Sequence, residues 1–326
     1  MRAAVCREYG APESIVVEPD FASPVVGPGR ARVRVGAAAV NFPDVLLIAN
    51  KYQVSVPVPF VPGSEFAGVV DAVGADVTGL ALGDRVMGTS ITGAFAEQAV
   101  VPFRSLTHIP HAVPETAGAA FGVAHRTAYH VLRSVAGLQA GEKLLVLGAG
   151  GGVGLAAVQL AVILGASVTA VASSDAKLAV AASHGASSLV NHTTCGDLRS
   201  ALRAAAPAGA DVVIDPVGGD LAEPALRTLG WGGRFVTVGY ASGTVPRVPL
   251  NLILLKGCQV LGFQFRSFAA NQPEQARRNE VELLALLAAG QALPHIGATF
   301  PLAEAGAALR HVADGNAIGK VVLEIG

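Results

Sequence analysis

Five glycines lie between positions 148 and 154, directly after the apolar run Leu144-Leu145-Val146-Leu147. A strand that meets a glycine cluster and then an Ala/Leu/Val helix pattern can hold a pyrophosphate. One glycine permits the sharp turn, one lets phosphate approach the backbone, and one lets the helix pack close to the strand. The helix N-terminus then offers free N–H groups and the positive end of its dipole. Gly150, Gly151, Gly152 and Val153 are the expected contacts on the phosphate side. The strict G-x-G-x-x-G spacing is absent, and the nearest match is Ala149-x-Gly151-x-x-Gly154, with one extra residue in the turn. The competing reading of the uncharged stretch between Lys143 and Asp175 is a membrane span. The mid-stretch glycines and the β-branched residues at its two ends disfavour it.

A second group of residues would choose the dinucleotide. NAD-binding folds end their second strand on an acidic residue that binds the ribose 2′-hydroxyl. Here Val168 to Ala172 ends without one, and Ser173-Ser174 follows, with Lys177 one turn further on. A 2′-phosphate suits a hydroxyl and an ammonium group, so Ser173 and Lys177 are its expected contacts, His192 is a third, and the expected cofactor is NADPH. Ser174 is a further expected cofactor contact and the expected N-cap of the helix carrying Lys177. The alternative for Lys177 is an ordinary solvated helix residue. Asp175 complicates the reading, because it projects from the first helical turn, where the dipole favours it.

These residues need a scaffold. From about Ala124 to Leu261 strand and helix patterns alternate, which predicts a doubly wound parallel sheet. Strands are expected at Lys143–Leu147, Ser167–Ala172, Ser188–Val190, Asp211–Asp215, Arg234–Val238 and Gln259–Phe263. Ligands bind such sheets at the C-terminal ends of the strands. That adds Pro216, Val217, Gly239, Tyr240 and Ala241 to the rim, although Gly239-Tyr240 also reads as an ordinary turn. Residues 1 to about 120 look β-rich, with alternation over Arg30–Val40 and further strands at Gly68–Val73 and Phe95–Val101. Helices are expected at Pro273–Ala289 and Leu302–Asp314, then a final strand at Ile318–Leu323.

Composition narrows the function. The 326 residues suffice for two domains with large cores, and the chain is 52% hydrophobic and 14% charged. A net charge of −1 and the lack of a basic run argue against nucleic acid. No basic-then-apolar leader is visible, and Cys6, Cys195 and Cys258 are too scattered for a disulfide framework or a metal cluster. A cytoplasmic location and no membrane partner are expected.

Taken in order, the glycine turn joins four further motifs: Val40-Asn41-Phe42-Pro43-Asp44, Phe60-Val61-Pro62-Gly63-Ser64-Glu65-Phe66-Ala67-Gly68, Gly83-Asp84-Arg85-Val86 and Asp215-Pro216-Val217-Gly218-Gly219. Over essentially its whole length the chain resembles the medium-chain dehydrogenase/reductase superfamily, within it the zinc-free quinone oxidoreductase-like branch. The resemblance implies a GroES-like β-rich catalytic domain, residues 1–123 and 262–326, around a Rossmann NADPH-binding domain, residues 124–261. It implies further cofactor contacts from Asn41, Phe42, Thr127, Phe263, Gln264, Phe265, Gly319 and Lys320. It also implies a homodimer, paired through the strand at the edge of the nucleotide sheet, which here would be Gln259 to Phe263.

Zinc-using relatives carry a cysteine where this chain has Asn41, a histidine where it has Ser64, and their third ligand near Val123. None of these three suits Zn²⁺, so no metal is expected. Two ligands at His108 and His111 fall short of a site. Hydrogen-bond donors must then replace the Lewis acid, and the candidates are the Asn41 amide and the Tyr52 phenol. Such donors are weaker, so the substrate should be a ready acceptor: a quinone, which regains aromaticity, or a conjugated enone, whose charge spreads onto oxygen. Asn41 also reads as a turn residue, and Asp44 as capping or orienting the next helix at the border of the substrate pocket. Glu65 is expected to be structural, paired with Arg85. Relatives have Tyr-Gly where this chain has His125-Arg126. These two are expected beside the substrate, where they narrow the pocket, bind an anionic substrate, or face solvent. Two alternatives stay open: a low-turnover NADPH-binding protein, and a reductase of another activated carbonyl or enoyl substrate.

Overall fold

Alternating apolar and polar residues over Arg30–Val40 produce the longest strand of the protein, eleven residues with the apolar side turned to a core. The computed structural model describes all residues, Met1–Gly326, and divides them into two compact units. The first comprises Met1–Val123 with Leu293–Gly326, the second Ala124–Ala292.

In the first unit the strands run in the order Ile296–Pro301, Lys320–Glu324, Arg30–Val40, Glu65–Val73, Arg85–Thr89 and Leu106–His108, with Gln98–Pro102 also paired to Arg30–Val40. Its core includes Phe66, Phe95 and Ile48, all sealed from solvent. Each such side chain contributes about 1.5–3 kcal/mol relative to exposure. Register matters for function here. Val321 lies opposite Val40, and Ala39 lies opposite Glu65. Three strands therefore bring Lys320, Asn41 and Glu65 to one end of the sheet.

The second unit is a six-stranded sheet in the order Ser188–Asn191, Ser167–Ala172, Lys143–Leu147, Ala210–Asp215, Leu229–Thr237 and Gln259–Gly262. Every pairing is parallel. The order reverses direction at Lys143–Leu147, the switch point where such sheets bind ligands. Leu144, Leu145, Leu147 and Ile214 are fully buried beneath the flanking helices.

Three expectations are corrected. The hand-over between units expected at residue 262 falls at 293. Helix Pro273–Ala288 stays with the second unit because helix Ala124–His130 holds it. Arg126 pairs with Glu280 at 2.9 Å, the Tyr129 hydroxyl donates to Glu282 at 2.7 Å, and Asn279 meets His130 at 3.0 Å. A short helix, Phe265–Asn271, follows the edge strand in the stretch that the resemblance assigns to the catalytic domain; Gln264 caps it by accepting from the Ser267 N–H at 2.6 Å. Ile296–Pro301 is an additional strand, parallel to Lys320–Glu324.

Candidate functional site

The glycine turn of the second unit divides its tasks among three residues. Gly148 takes φ +60°, a left-handed conformation that favours glycine, and its carbonyl accepts the Gly151 N–H at 3.0 Å. Gly151 is the N-cap of helix Gly152–Ile163. A Cβ built at Gly154 would lie 2.1 Å from the Gly148 carbonyl oxygen, so only glycine lets this helix pack so close to the strand. A Cβ at Gly150 would lie 2.5 Å from the Lys177 Cβ. Gly150 and Lys177 are thereby neighbours.

Lys177 belongs to helix Asp175–Ser183, capped by Ser174, whose hydroxyl accepts the Lys177 N–H at 3.3 Å. The Lys177 ammonium donates to the Ser173 hydroxyl at 3.1 Å. Burial holds that ammonium below the ordinary lysine range. His192 follows the neighbouring strand, and its N–H donates to the Ala172 carbonyl at 3.0 Å. Burial, then repulsion from Lys177, lowers its imidazole pKa. Ser173, Lys177 and His192 thus gather at the end of the second strand. Asp175 is engaged elsewhere: its carboxylate accepts from the Asn191 amide at 2.7 Å.

Asp215 organises the adjoining loops. It is fully buried, and one carboxylate oxygen accepts the N–H groups of Val217 at 2.8 Å and Gly218 at 2.7 Å. Burial raises its pKa against those two donors. The Ala241 N–H donates to Pro216 and the Ser242 N–H to Val217, at 3.2 and 3.0 Å. A Cβ at Gly148 would meet Val217 at 2.6 Å. The structure therefore brings Pro216, Val217, Gly239, Tyr240 and Ala241 beside the glycine turn, with Tyr240 40% exposed.

The first unit holds a second concentration of polar groups. Asn41, Asp44, Glu65 and Lys320 are all buried. The Lys320 ammonium donates to the Asn41 side-chain oxygen at 2.6 Å and to Glu65 at 2.5 Å. The Asn41 amide donates to Glu65 at 2.9 Å and makes only long contacts, 3.4 Å, with Ser64 and the Ala39 carbonyl. The other Glu65 oxygen accepts the Val123 N–H at 2.7 Å. Asn41 and Val123 therefore converge on Glu65, while Ser64 lies against the Asn41 amide. Asp44 acts on the backbone, accepting the Asn41 N–H at 2.8 Å at the start of helix Phe42–Ile48. Burial pushes its carboxyl up to about 7, against the Asn41 N–H and the neighbouring Ser64.

The expected Glu65–Arg85 pair is not formed. Arg85 donates to the carbonyls of Val113 and His111 and lies 4.0 Å from Glu115. His125 and Arg126 do not face solvent: both are buried, Arg126 on Glu280 and His125 on Gln159 at 3.0 Å. The Arg126 guanidinium is thus committed to a carboxylate within its own unit. Thr127 is half-buried on the same helix. Phe263 and Phe265, with Phe268, surround the buried ring of His130 at centroid distances of 6.3, 5.5 and 5.0 Å. Tyr52 is half-buried in an irregular stretch, and Gly319, at φ +69°, packs beneath the His295 carbonyl. His130 and Asn191 escaped the sequence reading because their roles come from partners on other elements. The apolar setting of Lys320, ahead of Val321-Val322-Leu323, was the available signal for a buried cation.

Two family models match, the alcohol dehydrogenase GroES-like domain over residues 27–111 and the zinc-binding dehydrogenase over residues 152–285. The chain is 38% identical to quinone oxidoreductase-like protein 2 of Bos taurus, over 99% of this chain and 92% of that protein. It belongs to the medium-chain dehydrogenase/reductase superfamily. Human quinone oxidoreductase is 30% identical over 99% of this chain and 97% of its own length. Among solved structures, the quinone oxidoreductase of Escherichia coli complexed with NADPH superposes with a TM-score of 0.89 at 26% identity, covering 99% of this chain and 100% of that one.

As a medium-chain dehydrogenase/reductase, the chain is an oxidoreductase with a GroES-like unit and a Rossmann-like unit. Its donor set fits a phosphorylated dinucleotide: a glycine-lined helix start, and an ammonium and a hydroxyl in contact where an acid would otherwise stand. No three His, Cys, Asp or Glu side chains are grouped to hold a metal ion. No helix is long and apolar enough to cross a membrane.

Proposed function

We propose that this chain is an NADPH-dependent reductase that delivers hydride to a quinone or a conjugated enone without zinc. The observation that carries the cofactor choice is the Lys177–Ser173 contact at the end of the second strand. The ammonium and the hydroxyl bind a 2′-phosphate, while the carboxylate that would repel it is tied to Asn191. Gly150 to Val153 hold the pyrophosphate with backbone N–H groups and the helix dipole, and His192 adds a third contact. When bound, the reduced dinucleotide supplies the hydride. The NADPH complex of the Escherichia coli relative supports this reading.

Zinc independence draws on the first unit. The Lys320 ammonium already lies against Asn41 and Glu65, so a dication there would meet like charge and find few suitable ligands. The second Asn41 N–H, held only by contacts at 3.4 Å, is the donor that turns to a substrate oxygen. Tyr52 supplies a second donor. Hydrogen-bond donors withdraw less charge than a metal. The acceptor must therefore delocalise charge itself, as quinones and enones do. The names of the bovine and human relatives, both quinone oxidoreductases or quinone oxidoreductase-like proteins, support a quinone.

The proposed assembly is a homodimer in a reducing cytoplasm. Strand Gln259–Gly262 lies at the sheet edge, and nearby Leu250, Leu254 and Leu255 are each at least 71% exposed. Such an apolar edge invites a second copy. A monomeric mass across micromolar concentrations overturns the dimer.

The functional test is NADPH and NADH consumption against quinones, enones, aldehydes and alcohols. Turnover of quinones or enones with NADPH supports the proposal. Preference for alcohols or aldehydes overturns it, and tight NADPH binding without turnover of any acceptor identifies a binding protein instead.

A further inference from the structure

We propose that Asn191 is a positioning residue that sets cofactor specificity by holding the Asp175 carboxylate away from the 2′-phosphate site; this inference rests on the NADPH reading above. Asp175 opens helix Asp175–Ser183 between the two expected phosphate contacts, two residues after Ser173 and two before Lys177. A carboxylate at that place serves an unphosphorylated ribose and repels a phosphate. In this chain it is restrained from the neighbouring strand. The Asn191 amide donates to it at 2.7 Å.

Asn191 is itself anchored on its other face. Its side-chain oxygen accepts the Thr193 N–H at 3.1 Å and the Thr193 hydroxyl at 2.7 Å. The same O–H hydrogen is shared with the Ser173 carbonyl, 3.2 Å from the hydroxyl oxygen. The contacts form a belt from Asp175 through Asn191 and Thr193 to Ser173, and His192 sits within it. One amide thus satisfies two opposite demands: its N–H₂ holds the carboxylate by a hydrogen bond, and its oxygen fixes the loop that carries His192. An aspartate would meet the second demand but repel Asp175. An alanine would meet neither. Asp175 accordingly acts as a latent acid whose influence depends on Asn191.

The test is binding of adenosine 2′,5′-bisphosphate and of 5′-AMP by calorimetry, which needs no hydride acceptor. Asn191→Ala should weaken the bisphosphate about five- to tenfold, the effect of admitting a like charge near a partly exposed site. It should change 5′-AMP by no more than about twofold, within the scatter of a minor surface substitution. Adding Asp175→Asn should restore the bisphosphate. Equal loss for both nucleotides, no loss at all, or no restoration by Asp175→Asn overturns the proposal. Asn191→Asp serves as the second variant where Asn191→Ala unfolds, since it keeps the Thr193 contacts. It should likewise weaken the bisphosphate selectively, and an unchanged ratio overturns the proposal. Wild-type protein that binds both nucleotides equally defeats the NADPH reading itself, a result distinct from failure of the variants.

Discussion

The Lys320 ammonium and the Glu65 carboxylate form an ion pair with both side chains almost wholly removed from water, at 3% and 1% exposure. Two charges moved out of water repay the cost only while each retains the other. Lys320→Met should therefore lower stability by about 3–5 kcal/mol, because it strands a buried carboxylate. Adding Glu65→Gln should recover most of that loss. Urea unfolding of the three proteins checks both statements, and a double variant no better than the single one would refute the pairing argument.

Asp44 should make the first unit more stable in mild acid than in mild base. Burial raises its folded carboxyl to about 7, against roughly 3.9 for an unfolded aspartate. The folded state binds the proton more tightly. The contribution is fully present below about pH 4 and is lost as pH rises through about 7, by on the order of 2–4 kcal/mol. Carboxylates with lowered values, such as Glu97 and Asp84, act with the opposite sign and at lower pH. Between pH 5 and pH 8 the wild-type denaturation midpoint should therefore fall as pH rises. Asp44→Asn, which resembles the protonated form, should flatten the curve in that window.

His192 should make NADPH binding tighten as pH falls. In the free protein burial and Lys177 hold its imidazole below the ordinary histidine value. A bound phosphate dianion favours the imidazolium, so binding takes up a proton. The phosphate itself titrates near pH 6, and the difference between wild type and His192→Asn isolates the imidazole. Equal pH slopes for the two proteins would remove His192 from the site.

Gly150→Ala should damage cofactor choice more than folding. The new methyl group would lie 2.5 Å from the Lys177 Cβ, and the first turn of the lysine helix must move to relieve it. The kcat/KM ratio for NADPH over NADH should fall about tenfold, the loss of one charge-assisted contact. Gly154→Ala, which meets backbone rather than a side chain, should instead impair folding itself. A thermal melt separates the two outcomes.

Most of the second unit could be read from sequence because its signals are local. A strand such as Lys143–Leu147, the turn glycines and the Ser174 cap each declare themselves within a few residues. The same holds for Ser173 and Lys177, which the structure brings into contact. What escaped was pairing at a distance. The sequence suggests Arg85, twenty residues on, as the partner of Glu65, whereas the actual partner stands 255 residues away. Arg126 looked available because Glu280 lies on a helix 154 residues later. Charges so far apart carry no mutual periodicity, and only the strand register and the helix docking decide which of them meet. Helix Phe265–Asn271 was missed because its cap is a glutamine rather than one of the usual residues.

The position of Lys320–Glu324 between Ile296–Pro301 and Arg30–Val40 has a consequence for biosynthesis. As the polypeptide leaves the ribosome, the long strand and Glu65 emerge well before Lys320, which neutralises that carboxylate. The residues of the second unit are contiguous, Ala124–Ala292, and can fold while translation continues. The first unit must wait with an open sheet edge and an uncompensated acid beside it. Nascent chains stalled before residue 320 should therefore show a protease-resistant second unit attached to a digestible N-terminal segment, and chaperones that shield unpaired strands should bind them there.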